Sequence, residues 1–255
     1  MSEVRALSWP ELRRATPARV GLGRTGTALP TKAHLDFQLA HARARDAVYA
    51  AFDAEAIAAQ VRECGLEPVL LRSAAGDRAT YLRRPDLGRR LDAESRERLA
   101  ARPPAPIDLL FVIANGLSAT AVNAHAGALL RTTLPQLGPS RRIGPVAIVE
   151  GGRVAIGDEI GGILGAALAA VLIGERPGLS AAESLGVYVT WQPAPGTVDA
   201  ARNCLSNIHP AGLPISSAAE RLANLLHTAW QHRMTGVALG QRLAMHASPR
   251  IGPGG

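Results

Sequence analysis

The chain has 255 residues with 47% apolar side chains, enough for one large core or for a core with a smaller helical part. Its net charge of +7 comes almost wholly from arginine, since Lys32 is the only lysine, and aromatic residues do not alternate with the basic ones as on single-strand nucleic-acid platforms. We therefore predict that the protein binds no nucleic acid. The first residues lack an apolar signal segment, and the longest apolar stretch is too short to span a bilayer. We also predict a cytoplasmic protein that binds no membrane.

Residues 1–30 form a basic, glycine-rich N-terminal segment with one predicted short helix. Ser8 and Glu11 have the spacing of a capping box around a proline, which suits the first turn of a helix. Further along, Gly21–Gly26 has the pattern G-x-G-x-x-G, the dinucleotide-binding fingerprint, which needs a strand before it and a helix opening from it. The residues before it are polar and Pro30 closes it, so we predict that this motif binds no dinucleotide.

Residues 31–103 are predicted to form a smaller, helical N-terminal domain with a short hairpin. Apolar residues recur at helical spacing over Thr31–Cys64, and Gly65 then supplies a C-terminal cap. Two β-rich runs, Pro68–Arg72 and Ala79–Leu82, are joined by the turn-like sequence SAAGDR and predict the hairpin.

Four arginines crowd the turn after this predicted hairpin: Arg83, Arg84, Arg89 and Arg90. Their clustering fits either a solvated basic face or a surface for an acidic partner, and the sequence leaves both open. Asp92 then caps a predicted short helix, and the pair Pro103-Pro104 after it predicts the domain boundary.

Residues 104–240 alternate apolar strands with helices, as parallel sheets with crossover helices do. Ser118 is predicted to cap the helix after the first strand, and Ser217 lies at the start of the last helix. We therefore predict an α/β fold with a Rossmann-like, mostly parallel sheet and flanking helices, followed by a disordered tail over 241–255. The predicted strands are Ile107–Ile113, Val146–Val149, Ala170–Ile173 and Leu185–Trp191.

Two glycine-bearing loops at predicted strand ends, Glu150–Gly157 and Gly174–Ser180, are the candidate ligand site, because ligands of parallel sheets bind there. Within this region Gly157, Gly161 and Gly165 are spaced four residues apart. Such a bare stripe allows either close packing on the sheet or a flat face for a ligand, and both interpretations stay open.

The two cysteines, Cys64 and Cys204, are far apart and form no C-x-x-C motif, which indicates a reducing compartment and no structural zinc. Cys204 lies in a predicted polar turn, Arg202–Asn207, with no histidine or lysine beside it to activate the thiol. The sequence also shows no catalytic triad, metal cluster or pair of carboxylates at one turn. We therefore predict a binding subunit whose chemistry comes from a cofactor or from another chain.

Two other classes of protein remain as alternatives. A nicotinamide- or flavin-binding Rossmann oxidoreductase would need a glycine fingerprint after Ile113, but Ala114-Asn115-Gly116 offers one glycine where that motif has three. A non-catalytic scaffold or nucleic-acid-binding subunit rests only on the surplus of arginine.

Five dispersed segments resemble the small, or light, subunit of ethanolamine ammonia-lyase, and the similarity extends over about residues 10 to 240. They are LDFQLAHARARDAV (Leu35–Val48), LLRSAAGDRATYLRRPDLGRRL (Leu70–Leu91), GRVAIGDEIG (Gly152–Gly161), IGERPGLS (Ile173–Ser180) and RNCLSNI (Arg202–Ile208).

The resemblance implies an adenosylcobalamin-dependent enzyme that converts ethanolamine to acetaldehyde and ammonia by radical chemistry. In that family a TIM-barrel large subunit carries the substrate site, and several heterodimers assemble. The Rossmann-like part of the small subunit holds the nucleotide-loop side of the corrinoid at the subunit interface. The resemblance also raises packaging in a bacterial microcompartment, for which the basic N-terminal segment is a candidate.

The family's small-subunit cobalamin contacts correspond here to Val154 in GRVAIG, Glu175 in GERPG and Cys204 in RNC. The sequence has no D-x-H-x-x-G motif, which marks proteins that replace the cofactor's lower base with a histidine. The resemblance therefore implies cobalamin bound with its dimethylbenzimidazole base retained.

Overall fold

A computed structural model describes residues 8–16 and 18–247, and these residues build one six-stranded sheet with helices on both faces. The strands are β1 (Pro68–Arg72), β2 (Leu110–Ala114), β3 (Val146–Glu150), β4 (Leu168–Gly174), β5 (Leu185–Trp191) and β6 (Arg202–Ile208). The helices are α1 (Trp9–Ala15), α2 (Thr31–Tyr49), α3 (Ala54–Glu63), α4 (Arg78–Arg83), α5 (Ala93–Ala100), α6 (Ala119–Thr133), α7 (Ile156–Leu164), α8 (Ile215–His232) and α9 (Val237–Ala247).

The strand order in the sheet is β1-β3-β2-β4-β5-β6, and the first four strands in this order (β1, β3, β2 and β4) run parallel to one another. β5 and β6 extend the sheet as antiparallel strands. Every residue of β2 and β4 is buried, because both strands are near-continuous apolar runs covered on both faces. The mostly parallel sheet and the four strands predicted in residues 104–240 are thus confirmed.

The helices divide between the two faces of the sheet. One face packs against α3, α6 and α8, and the other against α5 and α7. The loop after β2 leads to α6 and the loop after β3 leads to α7, so neighbouring strands send their chains to opposite faces. Such a topological switch opens a crevice at the carboxyl ends of the strands, where α/β sheets bind ligands.

The predicted hairpin is wrong. Pro68–Arg72 is β1, an edge strand that pairs in parallel with β3, whereas Ala79–Leu82 lies within the helix α4. The physical reason is a helix cap: the Asp77 carboxylate accepts a hydrogen bond from the Thr80 amide at 2.8 Å and starts the helix. A four-residue β-rich run is too short to override that signal.

The predicted helix Thr31–Cys64 is two helices, α2 and α3. They separate at Asp53, whose carboxylate caps α3 by accepting from the Ala56 amide at 3.0 Å. Gly65 follows α3 with a positive φ of 75° and ends the helix as predicted.

The structure joins strands from both sides of the predicted domain boundary in one sheet. β1 precedes Pro103-Pro104 in the chain, yet it lies in the same sheet as the strands of residues 104–240. The boundary there stays a prediction. α9 continues past residue 241 to Ala247, into the segment predicted as a tail, and residues 248–255 lie outside the described part of the chain.

Two predictions for the N-terminal segment fall within residues 8–16 and 18–30, which the structure describes. Ser8 and Glu11 form the expected capping box, with the Ser8 amide donating to Glu11 Oε2 at 2.8 Å. Gly21–Gly26 is a loop with no strand before it, so the fingerprint context is lacking, as predicted. Over the described ranges, none of the helices combines the length and apolar character that crossing a membrane requires.

The glycine spacing in α7 reflects close packing. A Cβ on Gly157 would lie 2.4 Å from Val171 Cγ2 on β4, and one on Gly161 would lie 2.4 Å from Pro193 Cγ. Gly165 has a φ of 65° and forms the C-terminal cap of the helix. The packing interpretation is therefore confirmed for Gly157 and Gly161, which bring α7 onto the sheet.

Candidate functional site

The three residues singled out by resemblance lie on three different elements. Val154 is in the loop between β3 and α7, Glu175 directly follows β4, and Cys204 is on β6. The predicted polar turn at Arg202–Asn207 is wrong, because this segment is a strand paired with β5, and Cys204 lies opposite Tyr188. Pairing with a neighbouring strand overrides the turn preference of its asparagines and serine.

An open cavity of about 1120 Å³ brings two of these residues together. We call it the sheet-face cavity, since it lies over β5 and β6 beside α7, and its lining includes Val154, Tyr188 and Cys204. A second cavity of about 430 Å³, the edge cavity, contains Glu175 and shares Arg153, Val154 and Tyr188 with the first. The three predicted residues thus line two adjoining cavities with Tyr188 common to both.

The sheet-face cavity exists because the sheet is wider than the helix layer on that face. Along β5, Val187 and Val189 face the core shared with α6 and α8, so Tyr188 and Thr190 face the α7 side. There α7 packs over β4 and leaves β5 and β6 uncovered. The result is a floor of strand residues with α7 as one wall.

Glu175 is held by one of its two carboxylate oxygens. Oε2 accepts from the Ser184 hydroxyl at 2.5 Å and from the Asn207 amide at 3.1 Å. A Cβ on Gly186 would lie 2.9 Å from Oε1, so a glycine in β5 is what lets the carboxylate rest there. Within the described residues Oε1 accepts no hydrogen bond, which leaves one oxygen for a ligand donor.

Tyr188 and Cys204 form an uncharged pair on the cavity floor. Desolvation raises the pKa of the Cys204 thiol, and a hydrogen bond with Tyr188 opposes that shift only in part. Desolvation also raises the pKa of the Tyr188 hydroxyl, and the neighbouring Cys204 raises it further. Both groups are therefore protonated at neutral pH.

A buried ion pair fixes one wall of the sheet-face cavity. Arg202 donates to both oxygens of Asp158 at 2.6 and 2.7 Å, to Thr190 Oγ1 at 3.0 Å and to the Thr197 carbonyl at 2.8 Å. Desolvation raises the pKa of the Asp158 carboxyl, although the Arg202 guanidinium stabilises its charged form. The two residues are 44 positions apart in the chain, so no local sequence pattern joins them.

Arg153 anchors the loop that carries Val154. Its amide donates to the Gly88 carbonyl at 2.7 Å, and its guanidinium lies over the Tyr81 ring at 4.2 Å. Arg153 and Tyr188 line both cavities and were missed by sequence reasoning. Arg153 stands beside Val154 in GRVAIGDEIG but was given no role there, whereas Tyr188 lies in a β5 run with no motif. Within residues 8–16 and 18–247, no cluster of three or more histidine, cysteine, aspartate or glutamate side chains is placed to hold a metal ion.

These features define an α/β protein with a large, open ligand cavity at and beside the carboxyl edge of its parallel strands. Comparison with known families then gives the particular one. The family model of the ethanolamine ammonia-lyase light chain (EutC) matches residues 6–240, and the chain belongs to this family.

Individual relatives agree with the family match. The chain is 54% identical over 235 residues to the ethanolamine ammonia-lyase small subunit of Pseudomonas syringae pv. tomato, which covers 91% of this chain and 82% of the relative. It is 53% identical over 244 residues to the small subunit of Bradyrhizobium diazoefficiens, which covers 95% and 94%. The resemblance noted in the sequence is confirmed.

Proposed function

We propose that this chain is the small subunit of an adenosylcobalamin-dependent ethanolamine ammonia-lyase, which converts ethanolamine to acetaldehyde and ammonia. In this proposal the two cavities hold the nucleotide-loop side of the corrinoid, and a TIM-barrel large subunit covers the other side and binds the substrate. The observation that carries the proposal is the shared lining of the two cavities, which joins Val154, Glu175 and Cys204 although they come from separate elements.

The residues present fit the chemistry of cobalamin. The cofactor's neutral amide side chains and sugar hydroxyls need acceptors, and Glu175 Oε1 is available as one. Its dimethylbenzimidazole base and corrin edge are largely apolar, and Tyr188, Val154 and the neutral Cys204 offer apolar contact. A volume of about 1120 Å³ slightly exceeds the roughly 300–1,000 Å³ of sites for drug-sized ligands, as a large cofactor requires.

The role of this chain is to bind and orient the cofactor. When bound, adenosylcobalamin supplies the radical chemistry through homolysis of its cobalt–carbon bond. Val154 contributes backbone groups and an apolar contact, Glu175 accepts hydrogen bonds, and Cys204 packs as a neutral thiol. None of the three is proposed to act as an acid, base or nucleophile.

A partner chain is supported by the exposure of α2. Its apolar residues Leu35, Phe37 and Leu39 are between 42% and 56% exposed, and the ten residues 31–40 include no buried side chain. Leu35 and Leu39 lie one helical turn apart on the same face, and such a contiguous exposed apolar pair is a surface that a partner chain can cover. We assign this surface to the large subunit, with several heterodimers in the assembly.

Glu175→Ala in the co-expressed two-subunit complex tests the proposal directly. Visible absorbance of bound corrinoid reports occupancy, and a nicotinamide cofactor would give no such band. We expect weaker cobalamin binding for Glu175→Ala and unchanged binding for Glu220→Ala, an exposed glutamate on α8 away from both cavities. Equal affinity for both variants and the unaltered complex would remove Glu175 from the site.

We further propose a cytoplasmic location and packaging of the complex in a bacterial microcompartment through the basic N-terminal segment. Deleting the first 20 residues should then lower co-localisation with the compartment while cobalamin binding persists. Unchanged co-localisation and solubility would reject this role for the segment.

A further inference from the structure

Two arginines of the crowded turn line the sheet-face cavity. Arg89 and Arg90 share it with Val154 and Cys204, whereas Arg83 lies outside its lining. Arg153 stands in the same lining and also borders the edge cavity. The basic cluster noticed in the sequence therefore meets the proposed cofactor site in space.

The carboxylates of this cavity are already engaged by other arginines. Asp86 pairs with Arg84 at 2.7 Å, and Glu159 pairs with Arg96 at 2.6 Å. Asp158 and Asp199 both pair with Arg202, at 2.6 and 3.4 Å. Within the part of the chain that the structure describes, Arg89, Arg90 and Arg153 pair with no carboxylate. Arg89 and Arg90 are exposed, whereas Arg153 donates one N–H to the Tyr81 carbonyl at 3.2 Å and keeps its charge without a counterion.

The turn that carries these arginines is fixed against the loop of Val154. The Gly88 carbonyl accepts from the Arg153 amide at 2.7 Å, and a Cβ on Gly88 would lie 2.8 Å from Arg153 Cγ. On the other side, the Leu91 amide donates to Glu159 Oε2 on α7 at 2.7 Å. The backbone bearing Arg89 and Arg90 is thus held at the cavity rim before any ligand arrives, which lowers the entropic cost of binding.

We propose that Arg89, Arg90 and Arg153 form an anion subsite for the phosphodiester that links the lower base of cobalamin to its corrin ring. The inference rests on the proposed function and adds to it the group that this part of the cavity recognises. A phosphodiester is the anionic group of the nucleotide loop, whereas the corrin side chains are neutral amides. Guanidinium groups match phosphate oxygens with charge and with paired N–H donors.

The test compares a corrinoid that has the nucleotide loop with one that lacks it. Hydroxocobalamin and dicyanocobinamide are titrated separately into the co-expressed two-subunit complex, and Kd is read from visible absorbance after equilibrium dialysis. The variants are Arg89→Gln, Arg90→Gln and the double variant, with Arg83→Gln as a control of equal charge change outside the cavity. Arg89→Lys and Arg90→Lys keep the charge but lose the paired donors.

We expect the double variant to weaken hydroxocobalamin binding about tenfold or more, with cobinamide binding changed less than about twofold. The discrimination should shrink as salt rises, because the groups at the rim are exposed. The lysine variants should keep part of the affinity, and Arg83→Gln should match the unaltered complex. Size-exclusion chromatography of each complex checks assembly.

Three results would overturn the inference. Unchanged Kd values for both corrinoids in the double variant would show that the arginines are only a solvated face. Equal weakening for both corrinoids would show a general effect on the cavity. Loss of assembly with an unchanged ratio would assign the arginines to an acidic surface of the large subunit. An unaltered complex that binds neither corrinoid would instead reject the proposed function itself.

Discussion

The Asp158 carboxylate and the Arg202 guanidinium form a bidentate ion pair beside the sheet-face cavity, with both side chains 3% exposed. The pair joins α7 to β6, two described elements that no backbone hydrogen bond connects. Arg202 also donates to the Thr197 carbonyl, which ties the loop at the cavity mouth to the same pair. A buried charge is energetically costly unless it is paired. Removing one partner therefore lowers the free energy of unfolding by more than the intact pair contributes to it.

Asp158→Asn is therefore expected to destabilise the subunit by about 3–5 kcal/mol, since it removes the buried counterion of Arg202 and leaves only the longer, exposed pair with Asp199 at 3.4 Å. Urea unfolding followed by circular dichroism measures this. The double variant Asp158→Leu/Arg202→Met removes both charges and should recover most of the loss. A double variant as unstable as Asp158→Asn would mean that the hydrogen bonds to Thr190 and Thr197, not the unpaired charge, dominate.

Ser184→Ala should weaken cobalamin binding through Glu175. The serine is buried and its hydroxyl holds Glu175 Oε2 at 2.5 Å, so its loss frees the carboxylate to turn away from the ligand. We expect Kd to rise roughly fivefold, with a loss of stability of about 1 kcal/mol. A double-mutant cycle with Glu175→Ala tests whether Ser184 acts through Glu175. In that case Ser184→Ala should have no further effect on Kd once Glu175 is absent. Additive effects would mean that Ser184 acts independently of Glu175.

Alkylation of Cys204 should be slow at neutral pH and accelerate only under alkaline conditions. Desolvation favours the protonated thiol, so the proton leaves at a higher pH than from a free cysteine and less thiolate is present at pH 8. Iodoacetamide rates in a Cys64→Ser background, measured from pH 7 to 11 beside a glutathione control, give the profile. A midpoint below that of glutathione would contradict the proposed neutral contact.

The strands from β2 to β5 could be predicted because their signals are local. Each is an apolar run bounded by glycine, proline or a helix cap, and Ser118 caps α6 by accepting from the Ala121 amide at 3.2 Å, as its position suggested. The same strand pattern also predicted that Val154 and Glu175 lie in loops at the carboxyl ends of strands.

The rest of the site depends on contacts between distant segments. β6 contains turn-forming asparagines and becomes a strand only through its pairing with β5, which places Cys204 opposite Tyr188. β1 likewise pairs with β3, more than 70 residues away, so no local turn could reveal its partner. The open floor over β5 and β6 reflects how far α7 extends across the sheet, which no motif encodes.

Substitutions on α2 should weaken assembly without unfolding the subunit. Leu35 and Leu39 are 56% and 52% exposed and one helical turn apart, so an aspartate at either position costs the isolated chain little. We expect Leu35→Asp/Leu39→Asp to reduce recovery of the small subunit on a tagged large subunit by about tenfold or more. Val237→Asp on α9 is the control, since Val237 is 58% exposed and lies on another helix. Equal recovery of both variants would place the large subunit on a different surface, whereas a lowered unfolding midpoint for the α2 variant alone would show that this helix is needed for the fold.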